Sequence, residues 1–318
     1  MSLELGWVGF HEEGIYAFEN LLNEGINIRL FISLNEISLS KKSASTKKYK
    51  VLCQLHNIPF YEIKNINDDE VYDLLKSYSL DILIVIGWSQ ILSQRILEVT
   101  KFGAIGSHAS LLPHNRGSAP VNWSIIKGER ITGNTLMWLD HGVDTGKIID
   151  QIPIPITNFD TCSTIYTEVS KTNYVMIRKF LSKFEVKKEL LGVSQIGNNE
   201  ENLPRRKPSD GLINWSKSNQ EIYNFIRAIT KPYPGAYSYM DNKKWIIWKV
   251  ALLPNRDNNN PGIIEGIVVS PNEEACGLMV TCSLGAIIIL EMENEEGDII
   301  SGYDFASLNW KGRMWLNE

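Results

Sequence analysis

Two short stretches carry residues whose types and spacing can do chemistry. Gly106-Ser107-His108-Ala109-Ser110-Leu111-Leu112-Pro113 places a histidine at the end of an apolar run. Thirty-six residues after that histidine, Leu139-Asp140-His141-Gly142-Val143-Asp144-Thr145-Gly146 places an aspartate in a glycine-flanked turn. An imidazole titrates close to neutrality, so it can accept a proton and return it within one reaction cycle. A carboxylate beside it selects which ring nitrogen carries the proton and balances the imidazolium charge. Such a pair is a recurring device for moving a proton during acyl transfer. Each residue also has an ordinary reading: a satisfied core histidine at a strand end, and Asp-Thr-Gly as common turn chemistry. The chemical reading requires the fold to bring His108 and Asp144 together. On a strand, positions 106 and 108 share a face while Ser107 points away.

The elements that must position these residues alternate along the first half of the chain. Strand-like segments are expected at 5–10, 26–32, 58–63 and 82–86, with helices at 13–24, 43–56 and 68–78. Ile82-Leu83-Ile84-Val85-Ile86 is a continuous apolar, mostly β-branched run, which suits a central parallel strand covered on both faces. Repeated βα units imply an α/β fold, a doubly wound, Rossmann-like parallel sheet whose ligands sit at the carboxyl ends of the strands. Gly87 and Gly106 close two of the apolar runs there. A helix over 118–128 is expected, with Ser118 as N-cap and Pro120 in its first turn. Strands at 134–139 and 147–155 and an amphipathic helix at 162–184 follow. The polar run Gln195–Asn202 reads as a linker between a domain over 1–194 and another over 203–318. The second has one helix near 217–229 and strands near 236–241, 244–252, 261–270, 277–283 and 286–292, the pattern of a small β-barrel, OB-like domain.

Composition narrows the function classes. A length of 318 residues is comfortable for two cores, and 43% hydrophobic with 22% charged residues is the balance of an ordinary globular protein. No apolar run reaches bilayer-spanning length and the N-terminus lacks a basic-then-apolar leader, so a cytoplasmic protein with no membrane partner is expected. The four cysteines show no CxxC pairing and none of the five histidines has HExxH spacing, so no metal is expected. Gly6, Gly9 and Gly14 do not form a GxGxxG loop, which weakens a nicotinamide reading. Residues 203–318 hold 12 Lys+Arg against 14 Asp+Glu, a balance of −2, which argues against a nucleic-acid partner.

These motifs resemble the folate-dependent formyltransferases, and most of the chain takes part in the likeness. The junction Pro204-Arg205-Arg206-Lys207-Pro208-Ser209-Asp210-Gly211 and the run Tyr233-Pro234-Gly235-Ala236-Tyr237 are most similar to the nucleotide-sugar N-formyltransferases, relatives of the methionyl-tRNA formyltransferases. The resemblance implies 10-formyltetrahydrofolate as co-substrate, with His108 as the proton-transfer residue and Asp144 as its partner. It implies a folate site from Gly87, Trp88, Gln90, Ile91 and Leu92 and from Asp140, Gly142 and Val143. It implies a substrate side built from Ser110, Leu111 and Arg116, with Arg205, Lys207 and Tyr233 on the diphosphate and base of a UDP- or dTDP-linked amino sugar. Family relatives are often homodimers. The chain departs from the family at Gly106, where an asparagine usually donates to the tetrahedral oxyanion. Three other readings stand beside the sugar enzyme: a methionyl-tRNA formyltransferase, a formyl-folate hydrolase, and a non-catalytic binder of folate or nucleotide sugar that would account for Gly106 directly.

Overall fold

The apolar run Leu5–Val8 is buried at every position and forms the first strand, β1, of a sheet covered on both faces. In this computed structural model residues 3–40, 46–187, 192–197, 201–257, 260–268, 276–306 and 314–315 are described. They fall into two units, one of residues 1–120, 131–155 and 165–204, the other of 121–130, 156–164 and 205–318. After β1 come α1 (Ile15–Asn23), β2 (Ile28–Leu34), α2 (Glu36–Ser40), α3 (Lys47–Leu55), β3 (Phe60–Ile63), α4 (Asp69–Ser77), β4 (Ile82–Val85), α5 (Gln94–Leu97) and β5 (Ala104–His108). Then follow α6 (Pro120–Ile126), β6 (Ile131–Trp138), β7 (Ile148–Pro155) and α7 (Cys162–Lys187).

The first unit's sheet runs β3-β2-β1-β4-β5-β6-β7. The first five strands are parallel, as the βα repeat predicts. β6 and β7 are antiparallel additions, a direction that apolar periodicity does not encode. The physical reason lies in the connection: the chain leaves His108 and re-enters at Ile131 on the same carboxyl edge of β5, so β6 must run back. Strand order reverses between β1 and β4, the switch point at which open α/β sheets bind ligands. One face packs Trp7, Phe18, Phe31 and Tyr49 against Met176, Ile177, Phe180 and Phe184 of α7. The other packs Leu83 and Val85 against α4, α5 and the loop residues Trp88 and Leu92.

Helix α6 begins at Pro120, so Ser118 is not its cap; the Ser118 N–H instead donates to the Leu203 carbonyl (3.0 Å). The expected helix at 43–56 is described from Lys47, its first residues lying outside the described set. Residues on either side of the run read as a linker are tied into the first unit. Val193 and Ile148 exchange backbone hydrogen bonds, and the Leu203 N–H donates to Arg116 O.

The second unit contains α8 (Asn219–Ala228), β8 (Ala236–Met240), β9 (Lys243–Asp257), β10 (Ile264–Val268), β11 (Gly277–Thr281), β12 (Leu284–Glu293), β13 (Ile299–Ser301) and α9 (Gly302–Ala306). It is the antiparallel β domain expected, with strand order β10-β11-β12-β9-β8 and β13 on β12. Ser218 and Glu221 cap α8 reciprocally, satisfying two N–H groups of its first turn. Among the described residues no helix is long and apolar enough to cross a membrane.

Phe180 is buried against Trp138 and Phe184, with ring centroids 5.5 and 5.3 Å away. Phe180→Ala is expected to lower unfolding free energy by about 3–5 kcal/mol in a urea titration, through lost transfer energy and the cavity left behind. Burial pushes the thiols of Cys53, Cys162 and Cys282 up to about 12. Below that pH they stay protonated and weakly nucleophilic, so at pH 8 these three should resist a thiol-reactive disulfide reagent until the protein is denatured.

Candidate active site

His108 ends β5, where its backbone pairs with Thr135 of β6. The Thr135 hydroxyl donates to Ser110 O (2.6 Å) and accepts from Leu112 N–H and Gln151 Nε2. That buried hub fixes the Ser-Leu-Leu-Pro turn beyond the strand, and the turn brings the Asn115 carbonyl to 2.8 Å from His108 Nε2. The ring is 8% exposed.

The loop after β6 folds back across the face of β5 that carries Gly106 and His108. Leu139 lies against Gly106, so a Cβ built there would sit 2.8 Å from Leu139 Cδ2 and 3.1 Å from Val85 O. Farther along, Asp144 brings Oδ2 to 3.4 Å from His108 Nδ1, and the Gly117 N–H donates to the same oxygen at 2.9 Å. Asp144 takes a left-handed backbone (φ 55°), which aspartate tolerates better than most side chains. With Nε2–H held on the Asn115 carbonyl, Nδ1 offers its lone pair. When Nδ1 gains a proton, both N–H groups have acceptors and Asp144 balances the charge. The arrangement can therefore take up and release a proton.

The structure sorts the other expected residues. Trp88 and Leu92 sit in the same apolar cluster as Leu139, so the loops after β4 and β6 share one face of the sheet. Ile91 and Val143 on those loops are 62% and 39% exposed, apolar surface open to a flat ring. Gln90 spans from the Ile66 N–H to the Lys64 carbonyl, which ties its loop down. Asp140 accepts from the Gly142 N–H and the Thr145 hydroxyl, so its carboxylate shapes the loop, and His141 is exposed. Ser110 is buried with its hydroxyl donating to His114 O, and Leu111 covers Gly133, so both build the turn. The Arg116 guanidinium donates to the Gln195 carboxamide oxygen.

Arg205, Lys207 and Tyr233 belong to the second unit. Arg205 and Lys207 are exposed. Their neighbour Arg206 is the fixed one, its guanidinium 5.1 Å from the Trp123 ring centroid and 5.5 Å from that of Phe225. Burial lowers its affinity for a proton, and Asp210 opposes that effect.

Two residues were not legible as site neighbours. His11, just past β1 at the switch point, has its Cβ 2.7 Å from where a Cβ on Gly87 would stand, and its Nδ1 is buried with no protein partner. Its carbonyl accepts from the Tyr49 hydroxyl (2.8 Å), a phenol that burial and nearby Glu13 and Glu12 push well above its ordinary pKa. Gln195 lies in a polar, glycine- and asparagine-rich run that carries no signal beyond that of a linker. Among the described residues no group of three or more His, Cys, Asp or Glu side chains is placed to hold a metal ion.

Residues 21–181 match the formyl transferase family and residues 205–309 its C-terminal domain. The chain belongs to the formyl transferase family. It is 33% identical over 293 residues to the bifunctional polymyxin resistance protein ArnA of Wigglesworthia glossinidia brevipalpis, covering 92% of this chain and 43% of that protein. The chain thus spans under half the length of that relative. It is 35% identical over 269 residues to the methionyl-tRNA formyltransferase of Geotalea uraniireducens, covering 81% of each. A solved N-formyltransferase from Helicobacter canadensis, in complex with folinic acid and dTDP-3-aminofucose, shares the fold at a TM-score of 0.62. It is 20% identical and the match covers 90% of this chain and 98% of that one.

Gly87 combines a left-handed backbone (φ 64°) with the close approach of His11. Gly87→Ala is expected to cost at least about 1–2 kcal/mol from the backbone conformation alone, read by denaturant unfolding.

Proposed function

We propose that this chain transfers a formyl group from 10-formyltetrahydrofolate to the amine of a nucleotide-linked amino sugar. The observation that carries the formyl-transfer reading is His108 held between the Asn115 carbonyl and the Asp144 carboxylate. The amine nitrogen adds to the formyl carbon, and its proton passes to His108 Nδ1 directly or through one water. The bond from the formyl carbon to the folate nitrogen then breaks, and that nitrogen takes the proton back from the imidazolium. Asp144 balances the ring charge between the two steps. The exposed apolar residues Ile91 and Val143, on loops sharing one face of the sheet, suit the flat folate ring.

Gly106 supplies no side-chain donor to the oxyanion, a loss worth about 2.7–4 kcal/mol of transition-state stabilisation where such a donor is removed. In this reading the positive charge of the protonated His108, rather than a free N–H, faces the developing oxyanion, since both ring nitrogens already have acceptors. The sugar acceptor is supported by the junction motif and by the −2 balance of residues 203–318, 12 basic against 14 acidic. A second reading, methionyl-tRNA as acceptor, is favoured by the 35% identity to the Geotalea uraniireducens enzyme.

A mass-spectrometric assay tests this. 10-Formyltetrahydrofolate is supplied with a panel of UDP- and dTDP-amino sugars and, separately, with methionyl-tRNA. A formyl mass gain on a sugar supports the proposal; gain on the tRNA alone moves the acceptor to the second reading. Release of free formate with no transfer to an acceptor identifies the hydrolase, and folate binding with neither transfer nor formate identifies a non-catalytic binder. His108→Asn and Asp144→Asn are each expected to lower kcat by about 10²–10⁴-fold, the usual worth of a positioned proton carrier, while the protein stays folded at the assay temperature.

A further inference from the structure

We propose that Gln195 is a positioning residue of this site: its carboxamide holds the Asp144 turn against His108 and joins it to Arg116. The inference rests on the formyl-transfer reading of His108 and Asp144. Gln195 Nε2 donates to Asp144 O and to Gly146 O, each at 2.8 Å. Its Oε1 accepts from Arg116 Nε at 3.2 Å and from the terminal NH2 at 2.5 Å. Two donors and one two-lone-pair acceptor are thereby all used, which only an amide of this length provides. The turn being held needs holding, since Asp144 occupies left-handed backbone (φ 55°) and such conformations persist where surrounding bonds over-determine them.

The backbone on either side of Gln195 is tied to the same two segments. Val193 exchanges hydrogen bonds with Ile148, just past the turn, at 2.8 and 2.9 Å. Leu203 N–H donates to Arg116 O (2.8 Å) and Leu203 O accepts from Ser118 N–H (3.0 Å). Between Arg116 and Ser118 lies Gly117, whose N–H binds the Asp144 oxygen that faces His108. One side chain therefore fixes both the peptide that presents the carboxylate and the loop that aims it. Gln195 touches no reacting atom.

Two variants separate this role from the backbone contacts of Val193 and Leu203 alone. Gln195→Met keeps the length and removes every polar contact. Gln195→Glu keeps acceptors for Arg116 and removes both donors to the turn. In each, kcat for formyl transfer is expected to fall about 10–100-fold, as for residues that orient a catalytic ligand, with the KM for 10-formyltetrahydrofolate within about twofold. The second readout needs no substrate: ¹⁵N-histidine NMR, in which the His108 ring resonances should move in both variants while exposed His56 stays fixed. His108 resonances and kcat unchanged in Gln195→Glu would overturn the inference. If the wild-type protein formylates no acceptor, the functional reading has failed, and the His108 resonances alone decide the role of Gln195.

Discussion

The carboxylate oxygen Oδ2 of Asp144 is where the first unit's loops converge. It faces His108 Nδ1 and accepts the Gly117 N–H, so a ring at the end of β5, a loop beyond it and the turn after β6 are joined at one atom. An anion removed from water needs such partners, because an unpaired carboxylate in low-dielectric surroundings is costly. The geometry is therefore mutual. The carboxylate keeps the ring oriented, and the ring and the N–H make a left-handed backbone at Asp144 tolerable.

The apolar face beneath constrains what can be built above it. Leu139, Trp88 and Leu92 pack into the cluster of Leu83 and Val85, which sets the height of both loops over β4 and β5. Leu139 then fills the space over Gly106 that a longer side chain would need. The glycine at this position is thus matched locally by packing, and the polar contacts on this face are those of His108 with its two acceptors.

Parts of this were legible in the sequence for physical reasons. Ile82–Val85 is apolar throughout because both faces are covered, and such a run can be read without knowing its neighbours. His108 and Asp144 were legible as chemistry because few residue types can shuttle a proton near neutral pH, and the family likeness paired them. Strand direction was not legible, since β6 and β7 have the periodicity of any strand and their orientation depends on where the preceding loop ends. Ser110 looked available to a ligand yet spends its hydroxyl on His114 O. In the basic run, side-chain type could not separate Arg206, caught between two aromatic rings, from its exposed neighbours. Gln195 was hidden because a carboxamide in a polar run gives no hint of four hydrogen bonds to three residues distant in sequence.

The division of the chain into units has a bearing on how such a protein can be made or cut. The boundary is crossed at 120/121, 130/131, 155/156, 164/165 and 204/205, so neither unit is a continuous stretch. During synthesis the first unit cannot be completed until the segment ending at Pro204 has emerged, by which time two segments of the second have already passed and must wait for their sheet. A single proteolytic nick would not release either unit intact. A gene fusion or deletion that treated residue 194 or 203 as a seam would carry fragments of one core into the other. The two units are interleaved in the chain, so they are inherited together.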